Sequence, residues 1–383
     1  MRQAILVGVV LFLAACATPP APVVRTAVYF DDAAFAPRRI PVQEDIFAVT
    51  AAMRRYLRTD IARQLRAHGT LRGLVAALRD KAQLQLEYDG TYTRTAAEAF
   101  DARAGNCLSL TVMTAALARE LGLSVSFQRV HADRVWTRRG DTLYSSGHVN
   151  IILTSPLVSE SGAMAPMGGL IVDFTPGVDL RRQRSQEIGE HTVVAMFLNN
   201  RAAEALQRGA LAEAYWRARD ALEHDPRYLE AFNTLGVVYA RHGNLALAER
   251  VLQHVLAVES ENVSAMANLV GVLERQGRRR ESLALAERLR AIEAEPPFHF
   301  FDQGTAALKR KEFALARDYF LRELARNAYY HGAHFGLAVA YLRLGQTSLA
   351  QTHLATALDT STNRKQHELY AGKMAWLKAH GAL

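Results

Sequence analysis

Arg103-Ala-Gly-Asn-Cys107-Leu-Ser-Leu-Thr-Val-Met113 is the stretch on which the reading of this chain turns. Gly105-Asn106 interrupts one helical pattern, and Cys107 opens another that runs to Leu121 and stops at Gly122. The chain has two cysteines, Cys16 and Cys107. Cys16 follows Leu13-Ala14-Ala15 at the end of an apolar run. If it is consumed by processing, Cys107 is a thiol with no disulfide partner, either a small buried hydrophobe or a reactive group. A thiol at a helix start faces unpaired N–H groups and the positive end of the helix dipole, which favour a nucleophilic thiolate.

Working outward, residues 44–67 and 71–84 carry helical periodicity, separated by Gly69. Residues 84–88 read as extended. Thr95-Ala-Ala-Glu98 is a capping box, so a short helix should run to Arg103. After Gly122 come three strand-like runs, 124–130, 149–153 and 170–174, with Gly140-Asp141 turning between the first two. His148 starts the second run and Asp173 ends the third. A thiolate nucleophile needs a basic imidazole beside it, and the imidazole needs an acceptor that holds its tautomer. Adjacent strands would set His148 and Asp173 side by side, opposite the helix bearing Cys107. Taken singly, Cys107 can be a core thiol, His148 a strand histidine and Asp173 a turn residue. Taken together and in this order they point to a catalytic triad.

Gly105-Asn106-Cys107, then His148, then Asp173, resemble the transglutaminase-like superfamily, a circular rearrangement of the papain-like cysteine protease arrangement. Ala115-Ala-Leu-Ala-Arg-Glu-Leu-Gly122-Leu is similar to the family's nucleophile-helix sequence. The resemblance covers residues 84–177. It departs from the family at Val149-Asn150, where many members carry an aromatic residue, and at Asp173-Phe174-Thr175-Pro176, where many have Asp-Pro. The resemblance implies Cys107 as nucleophile, His148 as proton shuttle and Asp173 as orienting group. The oxyanion hole would combine the Cys107 N–H with one further donor, near Tyr88 or Gln85.

At the N-terminus, Arg2 precedes an apolar run from Ala4 to Ala15, too short to span a bilayer and suited to a signal peptide over 1–15. Its end resembles the lipobox of bacterial lipoproteins, which implies cleavage before Cys16 and lipidation of Cys16. Ala17 in place of Asp favours the outer membrane, facing the periplasm. Thr18-Pro-Pro-Ala-Pro22 reads as stiff polyproline, so 16–41 is expected to be a lipidated tether and 42–190 the transglutaminase-like domain.

From Ala195 the chain repeats itself. Ala202, Gly236, Val270, Gly304 and Ala338 are 34 residues apart, as are Ala214, Ala248, Ser282, Ala316 and Ala350. Gly209, Gly243, Gly277, Lys311 and Gly345 punctuate the copies. Small residues let paired helices cross closely, and each pair buries its face only against the next. The pattern resembles five tetratricopeptide repeats over 195–364, beginning near Ala195, Leu229, Val263, Pro297 and His331, with a capping helix over 365–383. Met266, Phe300-Phe301, Tyr319-Phe320 and Tyr329-Tyr330 could line a groove, but at helical spacing they suit a core better. The fold expected is an α+β papain-like/transglutaminase-like domain followed by an all-α tetratricopeptide-repeat solenoid.

The net charge is +8, one unit less without Arg2, which suits anionic headgroups or acidic ligands. Its Arg-Arg pairs are scattered and lack interleaved aromatics, which argues against nucleic acid as a partner. No phosphate-binding glycine loop appears, and His131, His191, His331 and His334 lack the companions of a metal site, so neither cofactor nor metal is expected. Two functions remain. One is an envelope-anchored cysteine peptidase-like enzyme, cleaving or transferring at a peptide amide while the repeats recruit a protein partner; a peptidoglycan peptide is also a permitted substrate. The alternative is a non-catalytic, lipid-anchored scaffold that binds peptides or envelope proteins through its repeats.

Overall fold

A computed structural model describes residues 25–38, 44–80, 84, 86–139, 142–155, 169–174, 184–293, 295, 297–361 and 363–379; within 131–147 it describes the backbone only. Cys16, the signal segment, Gln85 and the Gly140-Asp141 turn lie outside the described residues.

The first helical stretch is shorter and more broken than its periodicity predicts. The Asp45 carboxylate accepts from the Phe47 N–H at 3.0 Å, a local turn that competes with helix. Helix therefore begins only after Thr50, whose hydroxyl accepts from the Met53 N–H at 3.2 Å. Helix α1 (Ala51–Arg55) passes through a π turn (Tyr56–Asp60) into α2 (Ala62–His68). Gly69, at φ 75°, separates α2 from α3 (Thr70–Arg79). A Cβ on Gly73 would sit 2.7 Å from the Gln64 carbonyl oxygen, so glycine is what lets α2 and α3 cross there. Helix α3 stops at Arg79, short of residue 84, because Asp80 turns extended.

Strand β1 (Glu87–Tyr88) is followed by α4 (Ala96–Ala102), which has both bonds of the capping box at Thr95 and Glu98. Ala104–Gly105, overlapping the Gly105-Asn106 break expected from the sequence, forms a strand β2 parallel to β1, with Tyr88 opposite Gly105. Helix α5 (Cys107–Glu120) is buried continuously from Leu108 to Ala118. It packs against β3 (Ser124–Arg139) and β4 (Thr142–Thr154), the centre of a four-stranded antiparallel sheet ordered β5-β4-β3-β6. Strand β5 is Leu170–Val172 and β6 is Arg184–Ile188. The β3–β4 hairpin is longer than the apolar runs, with a register shift between Val130 and Val135. Strand β6 has no apolar alternation to reveal it. It is a polar strand that joins the sheet through main-chain pairing with β3.

Beyond β6 the chain is helical. The pairs are α6 (Glu190–Gln207) with α7 (Leu211–His224), α8 (Leu229–His242) with α9 (Leu245–Val258), and α10 (Val263–Arg275) with α11 (Arg279–Ile292). Then come α12 (His299–Lys309) with α13 (Phe313–Arg326), α14 (His331–Arg343) with α15 (Thr347–Asp359), and a last helix, α16 (Arg364–Ala379). The second helices of the five pairs start 34 residues apart, the spacing of tetratricopeptide repeats. The punctuating glycines turn the chain at positive φ, from 74° at Gly209 to 99° at Gly243, and Lys311 adopts φ 64° in the copy without glycine. Two starts differ from the repeat phase. Helix α6 begins five residues before Ala195, where Gly189 ends β6's exit and Glu190 pairs with Arg119. Helix α12 begins after Phe298, held at φ 65°.

The stretch 25–38, assigned by composition to the tether, instead folds onto the repeats in two short 3-10 turns, Thr26–Tyr29 and Asp32–Ala34. Tyr29, Phe30 and Phe35 give it an apolar payload that a solvated tether would leave in water. Among the described residues the buried apolar side chains form three clusters. The largest runs from Phe35 through α5 and the sheet to Leu285, uniting the N-terminal part with three repeats. Of the candidate groove residues, Met266, Phe300 and Phe320 are buried, while Tyr329 is exposed.

Phe320 lies between two glycines: a Cβ at Gly304 would meet its ring at 2.7 Å and one at Gly336 at 2.5 Å. Gly304→Ala should therefore cost about 1–3 kcal/mol by overpacking. Gly271→Ala, in α10 with open space around it, should add about 0.5–1 kcal/mol. Urea unfolding of both variants measures the contrast; equal effects would remove the close-crossing argument.

Candidate functional site

The site is built around the start of α5. Asn106 is the N-cap: its side-chain oxygen accepts from the Ser109 N–H at 2.9 Å and from the Ser109 hydroxyl at 2.8 Å. A Cβ on Gly105 would sit 2.7 Å from the Ser109 Cβ, which explains the glycine two residues before Cys107. The Asn106 amide donates to the Thr93 hydroxyl at 3.0 Å. The Thr93 N–H donates to Glu204 at 2.7 Å, and Arg201 donates to the Thr93 carbonyl at 3.0 Å. Both partners belong to α6, so the first repeat helix holds the loop that caps the cysteine helix. Next to it, the Arg94 N–H donates to the Ser109 hydroxyl at 2.8 Å, and Arg94 pairs with Asp89 at 2.8 Å. Burial alone would raise the Asp89 carboxyl, but hydrogen bonds from Thr91 and Arg94 outweigh it and hold it below the usual range.

His148 sits on β4 opposite Val130, and Asp173 follows β5 directly, where Val172 pairs with Ile151. Continuing that register puts Asp173 across from Asn150, a diagonal step from His148. The His148 Nε2 and an Asp173 carboxylate oxygen are 2.5 Å apart, with both side chains buried. That leaves Nδ1 as the ring nitrogen available to the Cys107 thiol, which also hydrogen-bonds the imidazole. Burial would lower the His148 pKa. The bonds to Asp173 and Cys107, and the negative charge each can carry, overcome burial and push it up to about 10. Cys107 itself is partly exposed and packs against the main core.

The three residues singled out in the sequence are thus brought together. As the first residue of α5, Cys107 contributes one of the N–H groups that have no intrahelical partner. Tyr88 lies beside the cysteine loop through the β1–β2 pairing. Asn106, Thr93, Ser109, Arg201 and Glu204 were not anticipated. Asn before a helix start is a readable cap signal; Glu204 is 111 residues from Thr93 and carries none. Among the described residues no group of three His, Cys, Asp or Glu side chains is placed to hold a metal ion. His331 and His334 bond to other groups, His331 to the Tyr370 hydroxyl at 2.8 Å and His334 to His353 at 2.9 Å. No helix among the described residues is long and apolar enough to cross a membrane.

No protein-family model matches the chain. Over 124 residues, 32% of its length, the chain is 32% identical to the type IV pilus assembly protein PilF of Pseudomonas aeruginosa. The match covers 49% of that protein, so the chain spans about half the length of this curated relative. Among solved structures it is similar to Pseudomonas aeruginosa pilF, with 22% identity, 50% of this chain and 87% of that chain covered, and a TM-score of 0.27. It is also similar to the MamA protein, with 17% identity, 48% and 96% covered, and a TM-score of 0.26. A third is YrrB, a TPR protein with an unusual peptide-binding site, with 20% identity, 47% and 92% covered, and a TM-score of 0.25.

Because its pKa is raised on folding, His148 contributes stability that is full below its ordinary value of 6.5 and is lost as pH rises through about 10. The wild-type melting temperature should therefore fall between pH 7 and 10 more than that of His148→Gln. Parallel slopes for the two chains over that range would remove the buried, charge-paired histidine.

Proposed function

We propose that the repeat array is a docking surface for a protein partner, and that the chain serves as an envelope scaffold. The observation that carries this reading is the stack of five helix pairs at 34-residue spacing, a form that exposes a continuous surface longer than any one pair needs for its own stability. The relationship of 124 residues to a type IV pilus assembly protein makes an envelope-assembly protein the partner class to test first. Lipidation at Cys16 would hold the array at a membrane facing the periplasm. A photo-crosslinker at the exposed Tyr329 should give a discrete adduct in envelope preparations, and the same adduct with Cys107→Ala. Absence of adducts from Tyr329 and from exposed Leu283 on α11 would count against the array as a docking surface.

A second reading rests on the contact of His148 with both Cys107 and Asp173. The N-terminal part is a transglutaminase-like cysteine peptidase or acyltransferase, and the array delivers its protein substrate. Cys107 Sγ attacks a peptide carbonyl carbon and its proton passes to His148 Nδ1. Asp173 at Nε2 orients the ring and stabilises the imidazolium. His148 returns the proton to the leaving amine, and the thioester passes its acyl group to water or to another amine. The Cys107 N–H stabilises the oxyanion. Iodoacetamide should alkylate Cys107 at pH 6 at least tenfold faster than it does in His148→Ala, with Asp173→Asn intermediate. Cys107→Ala should remain folded by circular dichroism. Equal alkylation rates in all three thiol-bearing chains would sink the enzyme reading and leave the scaffold standing.

A further inference from the structure

Residues 28–38 do not lie on the repeats as a strand or a helix lies on a core. Repeat side chains grip their main chain. The Arg250 guanidinium donates to the Val28 carbonyl at 2.5 Å and the Tyr239 hydroxyl to the Tyr29 carbonyl at 2.7 Å. The Tyr215 hydroxyl accepts from the Asp31 N–H at 2.9 Å, and the Trp216 indole donates to the Ala36 carbonyl at 3.0 Å. Main-chain bonds of this kind hold a segment without reading its sequence.

Sequence is read at three places. Phe35 stacks on Tyr215 with ring centroids 4.1 Å apart and planes 7° apart. The Asp32 carboxylate accepts from the Tyr215 hydroxyl at 2.6 Å and from Arg219 at 2.9 Å. Tyr29 sets its ring edge-on to Phe232 at 5.4 Å. Tyr29, Asp32 and Phe35 are three apart in the chain, and all three meet side chains of α7 and α8. Burial pushes the Tyr239 phenol up to about 12 and the Tyr215 phenol higher, so both remain hydrogen-bond donors throughout the neutral range.

We propose that the face formed by α7, α8 and α9 is a peptide-binding site now filled by the chain's own residues 28–38. Its partner presents an extended segment of pattern aromatic-x-x-acidic-x-x-aromatic, which takes the same seat by displacing them. The inference rests on the reading of the array as a docking surface and names its site. The bound segment lies between the Cys16 tether and the body of the chain, so displacement frees that linker as the partner docks. A cis occupant acts at a high effective concentration, on the order of millimolar for a short linker, so a free peptide competes poorly until the cis segment is weakened.

The test uses a fluorescent peptide spanning residues 25–38 and the full chain, read by anisotropy. Phe35→Ala weakens the occupant and leaves the site intact; it should bind the peptide at least tenfold more tightly than the wild type. Adding Arg219→Glu should return binding to the wild-type level. A folded Phe35→Ala chain that binds no better than the wild type would show residues 28–38 to be a fixed part of the fold. If Phe35→Ala does not fold, hydrogen exchange on the wild type decides. An Asp31 amide that exchanges well before the α8 amides supports displacement, and one that exchanges with them overturns it. Crosslinking at Tyr329 reads the array elsewhere, so failure here is distinguishable from failure of the docking reading.

Discussion

The peptide of Thr93 is the junction on which the arrangement depends. Its N–H and its carbonyl are both held by α6, through Glu204 and Arg201, and its hydroxyl receives the Asn106 amide that caps α5. Glu204 is 8% exposed, so the hydrogen bond it accepts from Thr93 takes the place of water. A buried hydrogen bond of this type contributes about 0.5–1.5 kcal/mol, and removing one partner leaves a buried polar group unsatisfied. The cysteine helix therefore takes its starting point from the first repeat helix. The same dependence appears in the packing, where one apolar cluster runs through α5, the sheet and the first three repeats. The boundary that composition draws near residue 190 is a change in secondary structure and not a break in the core.

Two histidines show how the surroundings, and not burial alone, set the chemistry. His148 and His331 are both buried. His331 has the Tyr370 hydroxyl as its hydrogen-bond partner and His334 nearby, and burial drives its pKa down to about 4. His148 pays the same desolvation cost, yet it moves the other way because a carboxylate and a thiol face its ring. The first is a neutral packing group that ties α16 to α14. The second is a cation-stabilising position beside a partly exposed thiol. Residue type and burial would not have separated them, and the neighbours do.

The parts legible in the sequence are those where one residue type answers one local demand. Positive φ at the repeat turns demands glycine, and close helix crossing demands a small side chain, so Gly243 and Gly236 betray the 34-residue period. Lys311 marks the limit of that logic, since stacking holds the turn even with a Cβ in the left-handed region. The order of Cys107, His148 and Asp173 was legible because helix start, strand and strand end each have local signatures. Strand β6 and the full length of the β3–β4 hairpin were not, because main-chain pairing holds them and leaves no pattern in side-chain polarity; the seat of residues 28–38 was not, because its partners lie 180 to 222 residues away. The Asp45 turn was missed for a related reason: a single side-chain acceptor outcompetes the helix that the apolar spacing favours.

The array itself is not uniform along its length. Repeats one to three share the large core, but among the described residues no buried apolar cluster spans the step from α11 to α12. That step is bridged by polar contacts: Arg326 with Glu293 at 3.3 Å and Arg322 with Glu295 at 3.1 Å. Partly exposed ion pairs contribute about 0–1 kcal/mol each. Burying even two leucine-sized side chains across the step would contribute more. In a stacked array, where stability is nearly a sum over neighbouring interfaces, the weakest interface is where the stack opens first. The last two repeats and α16 are thus joined to the first three repeats, which share one apolar core with the sheet and α5, through a contact that salt weakens.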